Sequence, residues 1–199
     1  RIQKAQDLWE KAQPIEGTVA ERYLKEHRKI YTKLPQDLRY LSPQREQVET
    51  NKHNPAGLVA AARDNKGEIQ AVQVTYLDPR TAQKSDIDVK KRSFGVLKGS
   101  AVTLQEDKDH TNTLYVAEGV ETALSLKAAG VKGTILASLG LSNIKRLSPA
   151  PGTKIIICAD HDGPDSPALK TLNNAIKHLK DQGHDVHVIK PQTQGHDFN

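Results

Sequence analysis

Three carboxylates in this chain carry the spacing of a divalent-cation site. Glu118 follows the apolar run 114–117, while Asp160 and Asp162 close a second such run, 155–159, with only His161 between them. Two carboxylates two residues apart at the end of a buried run repel each other unless a cation or several donors hold them. If both runs lie side by side in one parallel sheet, the three acids converge outside the carboxyl ends of the strands, where open α/β sheets bind ligands. Hard oxygen donors without a cysteine cluster suit Mg²⁺ or Mn²⁺, and such metals usually serve phosphate chemistry. Taken alone, Glu118-Gly119 after a strand reads more often as an acid favouring a helix N-terminus. The Asp-x-Asp pair on a neighbouring run is what points to metal.

Cations suited to phosphate gather upstream of the acids. Residues 84–98 hold Lys84, Lys90, Lys91, Arg92 and Lys98 against Asp86 and Asp88. Such a stretch is either a solvated loop or a phosphate-contacting one. Lys91, Arg92 and Lys98 are the candidates for phosphate or template contact. Arg63 is a weaker one, because a lone arginine on a strand usually serves as a solvated neighbour. The formal net charge of +5 favours polyanionic partners without specifying them. Glu121, three residues after Glu118, reads as a cap rather than a ligand. His161 would point away from the flanking aspartates, and His184, His187 and His196 lack zinc-ligand spacing. The single cysteine, Cys158, lies inside an apolar run, which excludes an internal disulfide and reads as a core residue.

The elements that must position these groups follow from periodicity. Residues 1–30 look helical: Ile2, Ala5, Leu8, Trp9 and Ala12 share a face, Pro14 interrupts, and Thr18 is a plausible N-cap for 19–27. Pro35, Pro43 and Pro55 then mark loop. Runs 58–63 and 69–77 flank a turn at Asp64 to Gly67 and predict a hairpin, with a further short strand at 93–97. From there the pattern alternates strands with helices, the signature of a parallel βαβ sheet. Strand 114–117 leads to helix 121–129 closed by Gly130, and strand 134–137 to a short helix after Ser142. Strand 155–159 leads to a helix with Ser166 as N-cap and Pro167 at its first position, running to Gly183, and strand 186–189 completes the order. The expected organisation is an α+β unit with an antiparallel sheet over 1–110 and a Rossmann-like α/β domain with a parallel sheet over 111–199.

With 199 residues, 36% hydrophobic and 27% charged, the chain is long enough for a sizeable core. No apolar run approaches the ~18 residues of a membrane span, and no signal-peptide pattern opens it, so a cytoplasmic protein without membrane attachment is expected. Methionine is absent and the chain begins at Arg1, the expectation being a piece of a longer polypeptide.

Glu118-Gly119 followed by Asp160-x-Asp162 resembles the Toprim domain, shared by bacterial-type primases, type IA and type II topoisomerases and a group of small nucleases. The ending Gly195-His196-Asp197-Phe198-Asn199 is similar to that of the primase-like Toprim proteins of phages, plasmids and conjugative elements. So are Thr18 to Leu24, Leu38-Arg39-Tyr40, Ala60 to Asp64 with Lys66-Gly67, Thr75 to Asp78 and Lys91 to Gly95, so that the resemblance covers nearly the whole chain. It implies that Glu118 acts as general acid/base or metal ligand, that Asp160 and Asp162 bind Mg²⁺ or Mn²⁺, and that Asp197 is an additional ligand. The implied activity is that of a DNA primase, making primers from nucleoside triphosphates on a single-stranded DNA template, with further relaxase or helicase domains in the parent chain. Two other readings stand beside it: a non-catalytic single-stranded DNA-binding module and a metal-dependent nuclease. After Asp162-Gly163 the chain reads Pro164-Asp165-Ser166-Pro167 instead of the family's small-residue run, which leaves the ligands intact and alters the surroundings of the nucleotide.

Overall fold

The computed structural model describes residues 1–43, 55–160 and 166–191. The chain divides into two compact units, residues 1–96 and 97–199.

In the first unit four antiparallel strands lie in the order β1-β2-β3-β4: β1 Leu38–Leu41, β2 Ala56–Arg63, β3 Ile69–Leu77 and β4 Lys91–Gly95. Helix α1, Ile2–Lys11, buries Ala5 and Trp9 against Val59, Ala61, Val72 and Val74, the face that its sequence spacing anticipates. Truncating a buried aromatic of this kind costs roughly 3–5 kcal/mol. Arg39 stacks its guanidinium 4.2 Å from the Trp9 ring and donates to the Trp9 main-chain carbonyl, so one side chain contacts both the indole and its backbone.

Helix α2, Val19–Arg22, continues into a π-helical turn, Tyr23–His27. Thr18 does occupy the N-cap position, but its hydroxyl donates to Ile15 O at 2.6 Å instead of accepting from the helix. The main-chain N–H of Gly17 is bound instead by the Glu21 carboxylate. The β2–β3 hairpin forms where expected and carries a register shift at Ala62/Arg63. Strand β1 was not anticipated, because its four residues sit among prolines; its pairing with β2 forms it. Gly95 closes β4 at φ +101, where a Cβ would stand 2.2 Å from Gln70 O, so only glycine fits.

The second unit holds a five-stranded sheet in the order β5-β7-β6-β8-β9. Its strands are β5 Val102–Gln105, β6 Thr113–Ala117, β7 Thr134–Ala137, β8 Lys154–Cys158 and β9 Asp185–Ile189. Strands β6 to β9 are parallel, as expected. Strand β5 adds an antiparallel edge beside β7, so the sheet is mixed. That pairing puts residues 102–105 in the second sheet, within the compact unit that begins at Leu97.

Helix α3, Val120–Ala128, lies against β5, β6 and β7. Helices α4, Leu141–Ile144, and α5, Pro167–Asp181, pack with Leu114, Val116, Ile155 and Ile157 in one core. Helix α5 starts as its sequence dictates: Ser166 Oγ accepts from Leu169 N at 3.1 Å and Pro167 takes the first turn.

Candidate functional site

Sheet order brings the two described acids together. From β6 the chain crosses to β7 on one side, and β8 then takes the other side of β6. The strand order therefore reverses between β6 and β8, the place where open α/β sheets form a ligand crevice outside their carboxyl ends. Ala117 pairs with Cys158, so Glu118 stands one residue past the paired end of β6 and Asp160 two residues past that of β8. Neighbouring strands run about 4.8 Å apart. Both carboxylates are exposed, whereas Val116, Ala117, Cys158 and Ala159 behind them are buried. Glu118 and Asp160 line one cleft with Leu141, Ala159, Ala168, Leu169, Leu172 and Lys190.

Lys190 is the residue that sequence reasoning passed over. Ile189 pairs with Cys158, and its carbonyl accepts from Ala159 N at 3.1 Å, which sets Lys190 just beyond the end of β9. Three neighbouring strand ends thus present an acid, an acid and a cation. The signal was available in principle, since Lys190 follows an apolar run as the acids do. Glu121, read from sequence as a cap, is buried in the first turn of α3, where the helix dipole favours a carboxylate. Burial pushes the Cys158 thiol up to about 12, which keeps it protonated and makes it the core residue its surroundings suggested.

Of the remaining residues proposed from sequence, Asp162 and Asp197 lie outside the described residues, as does His161. Among the described residues no group of three or more His, Cys, Asp or Glu converges, Glu118 and Asp160 being two. Lys98 is exposed in the second unit, one residue before a turn glycine, Gly99 at φ +78. Lys91 and Arg92 lie in the first unit on the edge strand β4, where charged side chains also discourage pairing with another chain. The Arg92 guanidinium stands 5.6 Å from the Phe94 ring centre and Lys4 Nζ 5.1 Å from it. These three side chains line a cleft with Tyr76 and Val74. Arg63 donates to Asp37 Oδ1 at 2.7 Å and to Gly67 O at 2.9 Å, tying β2 to the residue ahead of β1 and to the hairpin turn.

The donor set of the cleft fits a hard divalent cation: carboxylate oxygens, no thiolate and no imidazole among the described lining residues. Lys190 is the cation among the described lining residues of the same cleft.

Comparison with known proteins agrees with this architecture. The family model of a domain of unknown function (DUF7146) matches residues 1–104, and that of the Toprim domain matches residues 113–199. Among curated proteins none matches the chain in sequence. Solved structures share the fold at low identity. A DNA primase domain from Pseudomonas aeruginosa superposes with a TM-score of 0.58 at 17% identity over 90% of this chain and 65% of that one. The DnaG primase catalytic domain bound to ssDNA gives 0.59 at 18% identity over 98% and 72%. The RNA polymerase domain of Mycobacterium tuberculosis primase DnaG, in complex with double-stranded DNA, gives 0.52 at 15% identity over 98% and 72%. The chain spans slightly less than two thirds of the first of these and somewhat more of the other two.

Proposed function

Because the chain belongs to DUF7146 through its first half and carries a Toprim domain in its second, we propose that it is the catalytic core of a mobile-element DNA primase, joining nucleotides on single-stranded DNA by metal-dependent nucleotidyl transfer. The observation that carries this reading is the row of strand ends at the switch point, Glu118 and Asp160 beside Lys190. Glu118 and Asp160, joined by Asp162 and Asp197, would hold Mg²⁺ or Mn²⁺, which supplies neutralisation of phosphate charge and a lowered hydroxyl pKa. Lys190 and Lys98 bind the phosphates as point charges. In this reading Glu118 serves either as a ligand to that metal or as the general acid/base that accepts the proton of the attacking hydroxyl. In the first unit Lys91 and Arg92 contact the template phosphates, and Arg63 braces the sheet that carries them. Cytoplasmic replication of single-stranded DNA, within a longer parent chain bearing relaxase or helicase domains, completes the reading. No described helix is long and apolar enough to cross a membrane.

The test is incubation of the chain with single-stranded DNA, labelled nucleoside triphosphates and Mg²⁺ or Mn²⁺. Primer-length products that vanish in Glu118→Gln, with DNA affinity retained, support the proposal. Cleavage dependent on the same carboxylates would replace it with a nuclease. DNA binding without products, indifferent to that substitution, would leave a binding module.

A further inference from the structure

Asn143, buried in the short helix α4, commits its whole carboxamide to main chain. Nδ2 donates to Ser100 O at 2.8 Å and to Ser138 O at 2.9 Å, and Oδ1 accepts from Gly99 N at 2.9 Å. Both amide hydrogens and one carbonyl lone pair are used. A buried amide so fully engaged fixes whatever it bonds, because losing any one partner strands a polar group out of water.

The two sides it joins differ in kind. One is the turn that carries Lys98. There Ser100 N and Ser100 Oγ both bond Leu97 O at 2.8 Å, and Gly99 at φ +78 comes close enough to the turn just after α4 that a Cβ would stand 3.1 Å from Arg146 O. The other side is the loop after β7, which is fastened to the acid-bearing strand. Ser138 N donates to Ala117 O and Leu139 N to Glu118 O, each at 2.9 Å. A continuous path of hydrogen bonds and single-residue steps therefore runs from the main chain of Glu118 through Leu139, Ser138 and Asn143 to Gly99, next to Lys98.

We propose that Asn143 is a positioning residue: it holds the Lys98 turn at a set distance from Glu118, so that the lysine meets the triphosphate of an incoming nucleotide while the carboxylate faces the reacting centre. The inference rests on the nucleotidyl-transfer reading above and adds the device that spaces its two halves. An exposed lysine has a long, mobile stem, and its usefulness as a phosphate ligand depends on how firmly its Cα is placed. Neither Asn143 nor any atom of it needs to touch the substrate.

The experiment measures binding of a fluorescently labelled ATP, in Mg²⁺, to the native chain, Lys98→Ala, Asn143→Ala and the double variant. Asn143→Ala should weaken binding by about tenfold, the scale on which partners that orient a ligand act. The double variant should bind no more weakly than Lys98→Ala alone, because residues that act through one another are not additive. Mn²⁺ affinity should be unchanged in Asn143→Ala, and exchange of the Gly99 amide hydrogen should speed up. If Asn143→Ala fails to fold, Asn143→Asp, which keeps the acceptor for Gly99 and loses both donors, replaces it with the same expectations. Unchanged nucleotide binding in the Asn143 variant, or a double-variant loss equal to the product of the two single losses, overturns the inference while leaving the nucleotidyl-transfer reading standing. A native chain that binds no nucleoside triphosphate overturns both.

Discussion

Asp64 and Asp160 follow strands that look alike in sequence, apolar runs ended by an acid, and they finish in different chemistry. Strand β2 turns back on itself after Asp64, and the carboxylate is absorbed by its own hairpin. It accepts from Lys66 N at 2.9 Å, Glu68 N at 3.0 Å and Gln70 Nε2 at 2.7 Å. These bonds, that from the Glu68 main chain foremost, hold its pKa below the ordinary 3.8. Strand β8 passes instead into a parallel crossover. Asp160 is set at the end of a row whose neighbours, Glu118 and Lys190, come from other strands. An antiparallel turn gives a terminal aspartate to the nearest main chain; a parallel crossing assembles strand ends from distant parts of the sequence into one cleft. The same residue type in the same local pattern is a turn former in one unit and a candidate ligand in the other.

The contrast is broken most directly at the carboxylates. Asp160→Asn should lower Mn²⁺ affinity by roughly a hundredfold or more, with little change in melting temperature, since a direct ligand should matter at least as much as the outer partners whose loss costs 10–100-fold. Asp64→Asn should do the reverse, leaving Mn²⁺ binding intact and lowering the melting temperature. Calorimetric titration and thermal unfolding of both variants decide it, and undiminished Mn²⁺ binding in Asp160→Asn would collapse the distinction.

The buried part of β8 makes the next largest effect. The Cys158 thiol rises from its ordinary 9.0 to about 12 because burial penalises the thiolate. A group whose folded pKa is raised contributes stability that is fully present below the unfolded pKa and is lost as pH climbs through the folded one. Unfolding free energy should accordingly fall between pH 9 and about 12, by up to about 4 kcal/mol for this group. Cys158→Ala should flatten that part of the stability curve in denaturant titrations. The native thiol should also resist alkylation at pH 8 until the chain is unfolded.

Ser166→Ala removes the cap of α5 at the rim of the cleft and should cost about 1 kcal/mol in urea unfolding, with nucleotide chemistry nearly unaffected. The smallest effect concerns Asp64 in acid. Its depressed pKa means that its stabilising contribution is present above pH 3.8 and disappears as pH falls through the folded value. A carboxyl carbon titration by NMR should place that midpoint below 3.8, and a midpoint above it would show that the turn does not hold the ionised form.

Elements with strong local signals were legible from the chain alone. The hairpin at Asp64–Gly67 is written in turn chemistry, and α5 in the Ser166-Pro167 start, the apolar spacing of Leu169, Leu172, Ile176 and Leu179, and the glycine beyond its end. Strands β1 and β5 were not legible. Each is short and lacks the flanking turn and helix signals that mark β7, and each is formed by its pairing with a neighbouring strand, β1 with β2 and β5 with β7. The π-helical turn at Tyr23–His27 was hidden too. It brings Tyr23 and Leu24 inward together, a demand of packing that helix propensity does not encode.

By itself the sequence determined the types of its longer elements, the positions of the acids at the ends of apolar runs and the membership of Glu118 and Asp160 in one α/β unit. Those are consequences of periodicity and capping, which act over a few residues. Tertiary structure alone decided that β6 and β8 are neighbours while β7 lies on the far side, that Lys190 joins the acids, and that Asn143 ties the Lys98 turn to the loop behind Glu118. Strand order and buried side-chain bonds arise from pairing between segments tens of residues apart, where the free energy depends on which surfaces meet and not on the local pattern of either one.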